Sequence, residues 1–393
     1  MAPEHALRDL ALIFAVLFAA AVVARRLSQS VVPFYIAAGI ALQLLIRDPE
    51  VIQVFAILGV VVLLFVIGLE FSLAVLVRDA GRLLSAGLWD LTINFGLGLL
   101  CGLAIGLPWL AACFFAGAFY ITSSVIVAKS IVDEGLAANA ETPPALGVLV
   151  FEDLFIALFL AVMAGVASAG SLTLGPVTSG VGRAVAFAAG LLTLAHLLRR
   201  PLGRWLGRAD DEHLVIFLFF WVIAVAASAH ALDLSEAVGA FLAGLVIAET
   251  EEKPRVERII VPYQQLFAAL FFVAFGMMID LAELRSMWAM GLGIAVVGLL
   301  GKVATGWVIG WRQGMRKATR LRLGFLLAPR GEFSIVVAST AVALAVPASD
   351  RLPVLVAVYV LALSLVGPLL VTHGDPLIRA LTRPRGGMRP RRF

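Results

Sequence analysis

Apolar stretches long enough to cross a bilayer follow one another along the whole sequence, separated only by short charged connectors. One of them, VIQVFAILGVVVLLFVIGL at residues 51–69, carries no ionisable side chain. A span needs about 20 apolar residues, within a range of roughly 17–25. Such stretches fall near 6–23, 31–46, 51–69, 84–105, 109–128, 145–168 and 182–198. Six more fall near 212–230, 234–250, 264–279, 289–311, 321–345 and 352–371. Composition removes the soluble alternative. Of 393 residues, 62% are hydrophobic and 14% charged, with a mean hydropathy of +1.02, whereas a soluble domain is about 25% charged. The expected fold is an all-α polytopic membrane protein of about 13 transmembrane helices. The first stretch lacks a cleavage pattern and reads as a retained span.

Basic residues orient the spans. With the N-terminus outside, the inner segments hold 23 Lys and Arg and the outer segments five. The expected topology is therefore N-terminus outside and C-terminus cytoplasmic. The tail TRPRGGMRPRRF suits anionic lipid headgroups, and without a folded basic domain no nucleic-acid partner is expected. Cys101 and Cys113 offer neither a disulfide framework nor metal-ligand spacing.

Four charges lie where connectors cannot explain them. Glu152 and Asp153 are adjacent in LVFEDLFIALFLAV, Lys302 lies in VVGLLGKVATGWVIG, and Arg330 lies in LLAPRGEFSIVVAS beside Glu332. A charge at the centre of a span costs roughly 2.5–3.5 kcal/mol on insertion scales, so it marks function or a specific partner. A carboxylate alternates between protonated and ionised forms, and only the ionised form attracts a cation. One group contested by H⁺ and a cation is already an exchanger. Asp153 is assigned that role, with Glu152 as a modulating or second titrating group. Lys302 is expected to pair with one of the acids. A helix-start cap would be the plain explanation of the acids, but eight residues separate Pro144 from Glu152.

Pro329 and Gly331 flank Arg330, which predicts a broken helix. Span five carries Thr122, Ser123 and Ser124 mid-span, hydroxyls able to coordinate a cation. If spans one to six and eight to thirteen are repeats, the seventh is a linker and the repeats have opposite orientation. Spans five and twelve then correspond, as for two interrupted helices that cross near the bilayer midplane. The expected units are repeat one at about 6–168, a linker helix at about 182–198, repeat two at about 212–371 and a short basic tail at 372–393. Asp90 and Asn94 read as lining the core, and Glu236 and Asp280 as interfacial.

The motifs LLFVIGLEF, TSS, FEDL, GAFLAGLVIAET, ALFFVAFGMMID and PRGEFS together resemble the membrane domain of bacterial Kef-type sodium/hydrogen exchangers, over about residues 7–371. The resemblance implies a homodimer in the bacterial inner membrane, with a dimerisation domain and a mobile core using elevator-like alternating access. It implies exchange of Na⁺ or K⁺ for H⁺, with no cofactor and no metal except the cargo ion held transiently. The family's ion-binding aspartate matches Asp153. The residue before it is commonly Asn or Gln and is Glu152 here. The family's basic residue matches Lys302, its first unwound helix matches Thr122 and Ser123, and its second matches Arg330 and Glu332. No GxGxxG fingerprint is present, so nucleotide control would fall to a separate regulatory subunit. The rival readings are a crossed-helix symporter of an organic solute and a non-transporting membrane sensor. No HExxH or GxSxG motif supports an enzyme.

Overall fold

The computed structural model describes residues 3–27, 29–43, 45–46, 50–70, 80–168, 200–232 and 236–382, with isolated positions between 182 and 197. Three helices open the chain: α1 (Pro3–Arg26), α2 (Val32–Leu42) and α3 (Glu50–Glu70). Next, α4 (Ala80–Asp90) passes through a wide π-turn at Leu91–Phe95 into α5 (Gly96–Ala104). A broken helix follows as α6 (Trp109–Tyr120) and α7 (Ser124–Asp133), and α8 (Thr142–Ser168) completes this half. The second half runs α9 (Asp211–His230), α10 (Glu236–Ala248), α11 (Lys253–Met277) and α12 (Leu281–Arg312). Another broken helix, α13 (Lys317–Leu326) and α14 (Glu332–Ala343), leads to α15 (Leu352–His373) and the short α16 (Asp375–Thr382).

Every expected span outside 182–198 coincides with one of these helices or broken helices. The expected linker helix falls largely outside the described residues, as does the tail beyond residue 382. Among the described residues seven segments are long and apolar enough to cross a membrane, and four shorter apolar helices accompany them. The helices are apolar on their outer faces too, as lipid contact demands. Phe18 is 73% exposed, and Leu100 and Phe220 are each 65% exposed.

Two bodies emerge from the packing. In one, α3 lies against α10 and α11, α2 against α11 and α1, and α9 against α10. In the other, α5 packs on α6, α14 on α6, α4 on α8, and α12 on α13 and α15. Hence the first three helices of each half associate, and so do the last three spans of each half. This is the pattern of an inverted repeat. The α3–α10 crossing is backbone to backbone. A Cβ at Gly68 would meet the Phe241 carbonyl, and one at Gly244 would meet that of Phe65. Small residues are what let apolar helices approach so closely in lipid, where no hydrophobic drive pushes them together. Contact between the bodies is lighter, through α15 on α2, α8 on α10 and α14 on α11.

At the end of the second body, α16 buries Ile378 with Leu321 and Phe325. Asp375 accepts from Arg322 at 2.7 Å. That pair is roughly half exposed and so contributes little by itself.

Candidate ion site at the helix crossing

The two breaks meet. Between α6 and α7 the chain is non-helical at residues 121–123, and between α13 and α14 it is non-helical at residues 327–331. Pro329 lacks the N–H that would continue α13. Ser123 N donates to the Pro329 carbonyl oxygen at 3.0 Å, joining the two breaks at their crossing. Gly331 is required here, because a Cβ on it would lie 2.5 Å from Ser123 Oγ. Ser123 Oγ in turn donates to Glu332 Oε2 at 3.0 Å. Ser124, the third hydroxyl of the cluster, opens α7 and is half-buried.

A broken helix leaves partial positive charge at one new end and partial negative charge at the other. Both kinds are compensated. Glu152 Oε2 accepts from Thr122 N, just ahead of α7, and its Oε1 accepts from Thr122 Oγ1 at 2.9 Å. At the opposite pole, Arg330 serves two carbonyl-rich helix ends at once. Its Nε donates to the Phe119 carbonyl at 3.2 Å, and its Nη1 donates to the carbonyls of Leu327 and Ala328 at 3.0 and 3.1 Å. The Tyr359 hydroxyl completes the pole, accepting from Arg330 Nε and donating to the Phe119 carbonyl, each at 2.7 Å.

Lys302 lies on α12 with 0% exposure and is held by two carboxylates rather than one. Its Nζ donates to Glu152 Oε1 at 2.6 Å and to both oxygens of Asp90 at 2.9 Å. Asp90 closes α4 immediately before the π-turn, which turns Asn94 back onto it. Asn94 Nδ2 donates to Asp90 Oδ1 and to Thr305 Oγ1, each at 2.8 Å. Asp90, Asn94, Glu152, Lys302 and Thr305 are all 0% exposed. A buried ion pair stands only if each member is hydrogen-bonded, and the additional Asn94 and Thr122 bonds supply that.

The two adjacent acids therefore differ. Glu152 is enclosed and engaged by Lys302 and Thr122, while Asp153, one position on along α8, is half-buried. The pair sits in the third turn of α8, which begins at Thr142, so neither acid caps the helix start. The expected pairing of Lys302 with an acid is observed, through Glu152. Sequence reading underestimated Asp90. Its signal was the i, i+4 spacing to Asn94 in an apolar span together with a buried lysine in need of charge. Tyr359 gave no sequence signal beyond an aromatic ring in an apolar span.

Comparison with known proteins shows the family and the fold. Residues 12–372 match the family described as sodium/hydrogen exchanger, transmembrane. The chain is 35% identical over 382 residues to the K(+)/H(+) antiporter subunit KhtU of Bacillus subtilis, covering 93% of this chain and 92% of that one. It is 32% identical over 360 residues to the ammonium/H(+) antiporter subunit AmhT of Alkalihalophilus pseudofirmus, covering 91% and 90%. Among solved structures, the sodium proton antiporter MjNhaP1 of Methanocaldococcus jannaschii superposes with a TM-score of 0.71 at 14% identity. That match covers 96% of this chain and 99% of that one, and it is a likeness of fold.

Proposed function

The chain belongs to the sodium/hydrogen exchanger family, and from that premise we propose that Asp153 is the carboxylate on which H⁺ and a monovalent cation compete. The protein is a multi-pass membrane antiporter of monovalent cations and protons working by alternating access. The observation that carries the assignment to Asp153 is the unequal environment of the two acids. Glu152 is committed to Lys302 and to Thr122 N, whereas Asp153, the next residue on α8, is only half-buried.

Charge balance then gives the coupling. Whatever charge Asp90, Glu152 and Lys302 carry together, ionised Asp153 adds a second, negative charge beside it. A proton on Asp153, or a cation bound to it, removes that second charge equally well. The two loaded forms thus carry the same charge, and the empty form carries one more negative charge across the membrane, which is unfavourable. Exchange is therefore 1:1 and electroneutral, with the ion pair around Lys302 left intact. Thr122, Ser123 and Ser124 border the same crossing and supply oxygen ligands.

Among Na⁺ and K⁺ we favour K⁺, because the relatives at 35% and 32% identity are named for K⁺ and for ammonium, ions of similar size. Those names, with the sequence motifs, support a Kef-type placement and a separate regulatory subunit. The bias of basic residues supports the N-terminus outside and the C-terminus in the cytoplasm of a bacterial inner membrane. The repeats are taken as about 6–168 and 212–371 with a linker at about 182–198, in a homodimer.

The test is transport in proteoliposomes that enclose a pH-sensitive dye. A proton gradient is imposed and then challenged with K⁺, Na⁺ or Li⁺. Wild-type protein dissipates it on addition of K⁺, and folded Asp153→Asn protein does not. An unchanged response in Asp153→Asn removes the assignment.

A further inference from the structure

Tyr120 is the last residue of α6, where the first broken helix unwinds, and it is 0% exposed. Its ring is fully accounted for. It stands edge-on to Phe155, with centroids 5.2 Å apart, on the turn of α8 that also carries Asp153. Lys302 Nζ lies 5.2 Å from its centroid. Its hydroxyl is not accounted for, since Tyr120 Oη has no hydrogen-bond partner among the described residues. Buried tyrosine hydroxyls nearly always have a partner. The ring neighbour of Tyr120, Lys302, is bonded to Asp90 and Glu152, and its other neighbour, Phe155, lies two positions beyond Asp153 on α8.

We propose that the Tyr120 hydroxyl is a ligand of the transported monovalent cation, supplying a neutral oxygen beside Asp153 and setting which cation the site prefers. A cation leaving water for a buried site must replace hydration oxygens, and a single carboxylate cannot replace them all. The hydroxyl has a free lone pair, no hydrogen-bond partner among the described residues, and a ring packed against Phe155 and Lys302. A fixed oxygen discriminates between ions of different radius better than a mobile one. The inference rests on Asp153 being the exchanging carboxylate and names a second ligand of that site.

Tyr120→Phe tests it, because phenylalanine keeps both ring contacts and removes only the oxygen. Initial rates of proton-coupled uptake are measured in proteoliposomes against K⁺, Na⁺ and Li⁺ concentration, for wild type, Tyr120→Phe and Asp153→Asn. Melting temperature is read on the same preparations in detergent, with and without cation. The expected result is a KM for the preferred cation raised about tenfold in Tyr120→Phe, the scale of one lost ligand contact. Maximal rate stays nearly unchanged, the K⁺-to-Na⁺ preference shifts, and cation-free melting stays at the wild-type temperature. Wild-type KM and preference in Tyr120→Phe would overturn the inference. A marked fall in its cation-free melting temperature would also overturn it, by making the hydroxyl structural. If Asp153→Asn still transports, the broader reading fails; if only Tyr120→Phe behaves as wild type, the inference alone fails.

Discussion

Two cations are buried to 0% exposure near the helix crossing, and the molecule treats them differently. Among the described residues, the hydrogen-bond partners of Lys302 are two carboxylates, Asp90 and Glu152. Those of Arg330 are backbone carbonyls and one phenol. A carboxylate can take up a proton and a charge partner, and a backbone carbonyl is a neutral acceptor. The Lys302 cluster is a set of paired charges that stays intact while ions exchange at Asp153, whereas the Arg330 cluster is a fixed brace on two helix ends. The chemistry of each side chain suits its place. A guanidinium offers donors in a rigid fork that can reach several carbonyls at once, and an ammonium is a compact charge suited to sitting between two acids.

The largest effect is expected at the brace. Arg330→Leu strands the Ala328 carbonyl in a buried crossing, leaves those of Phe119 and Leu327 with only Tyr359 and Thr122 as donors, and should destabilise the protein by about 4 kcal/mol. Arg330→Lys should recover little, since one ammonium cannot span the same acceptors. Melting in detergent and yield of monodisperse protein read both variants. Arg330→Lys with wild-type stability would contradict the distinction between the two cations.

At the Lys302 cluster the effect is smaller and repairable. Lys302→Met leaves Asp90 and Glu152 facing each other and should cost about 3 kcal/mol. Adding Asp90→Asn removes one of the two charges while keeping a hydrogen-bonding side chain beside Asn94, and should restore part of the loss. Strictly additive single and double variants would show that the contact carries no coupling.

The smallest effect belongs to neither region. Asp280 caps α12, its Oδ1 accepting from Ala282 N at 2.6 Å. Asp280→Ala should cost about 1 kcal/mol of stability and leave cation preference and KM untouched. A change in KM would mean that α12 transmits strain to Lys302, and that the site is less insulated than described.

Much of this was legible in the sequence because membrane folding is written in long apolar runs. Twelve of the thirteen expected spans coincide with described helices; Pro329 and Gly331 mark the break in span twelve, and the repeat assigns a matching one to span five, where Thr122, Ser123 and Ser124 lie. What could not be read was partnership across distance. The Asp90–Lys302 contact joins residues 212 positions apart, and the Arg330–Tyr359 contact depends on the crossing geometry. Arg330 and Glu332 look like a pair in sequence, yet Arg330 turns to carbonyls and Glu332 to Ser123. Adjacent helix positions point about 100° apart, and so Glu152 and Asp153 could be recognised as unusual but not told apart.

The division of labour between those two acids is the central claim, and proton release on cation binding tests it most directly. Detergent-purified protein at weakly buffered pH is titrated with K⁺, and the protons displaced per ion bound are counted for wild type, Asp153→Asn and Glu152→Gln. The account predicts about one proton per cation in wild type where Asp153 begins protonated. It predicts none in Asp153→Asn, and release retained in Glu152→Gln at weaker affinity. Release lost in Glu152→Gln and kept in Asp153→Asn would move the exchanging site to the acid that Lys302 holds.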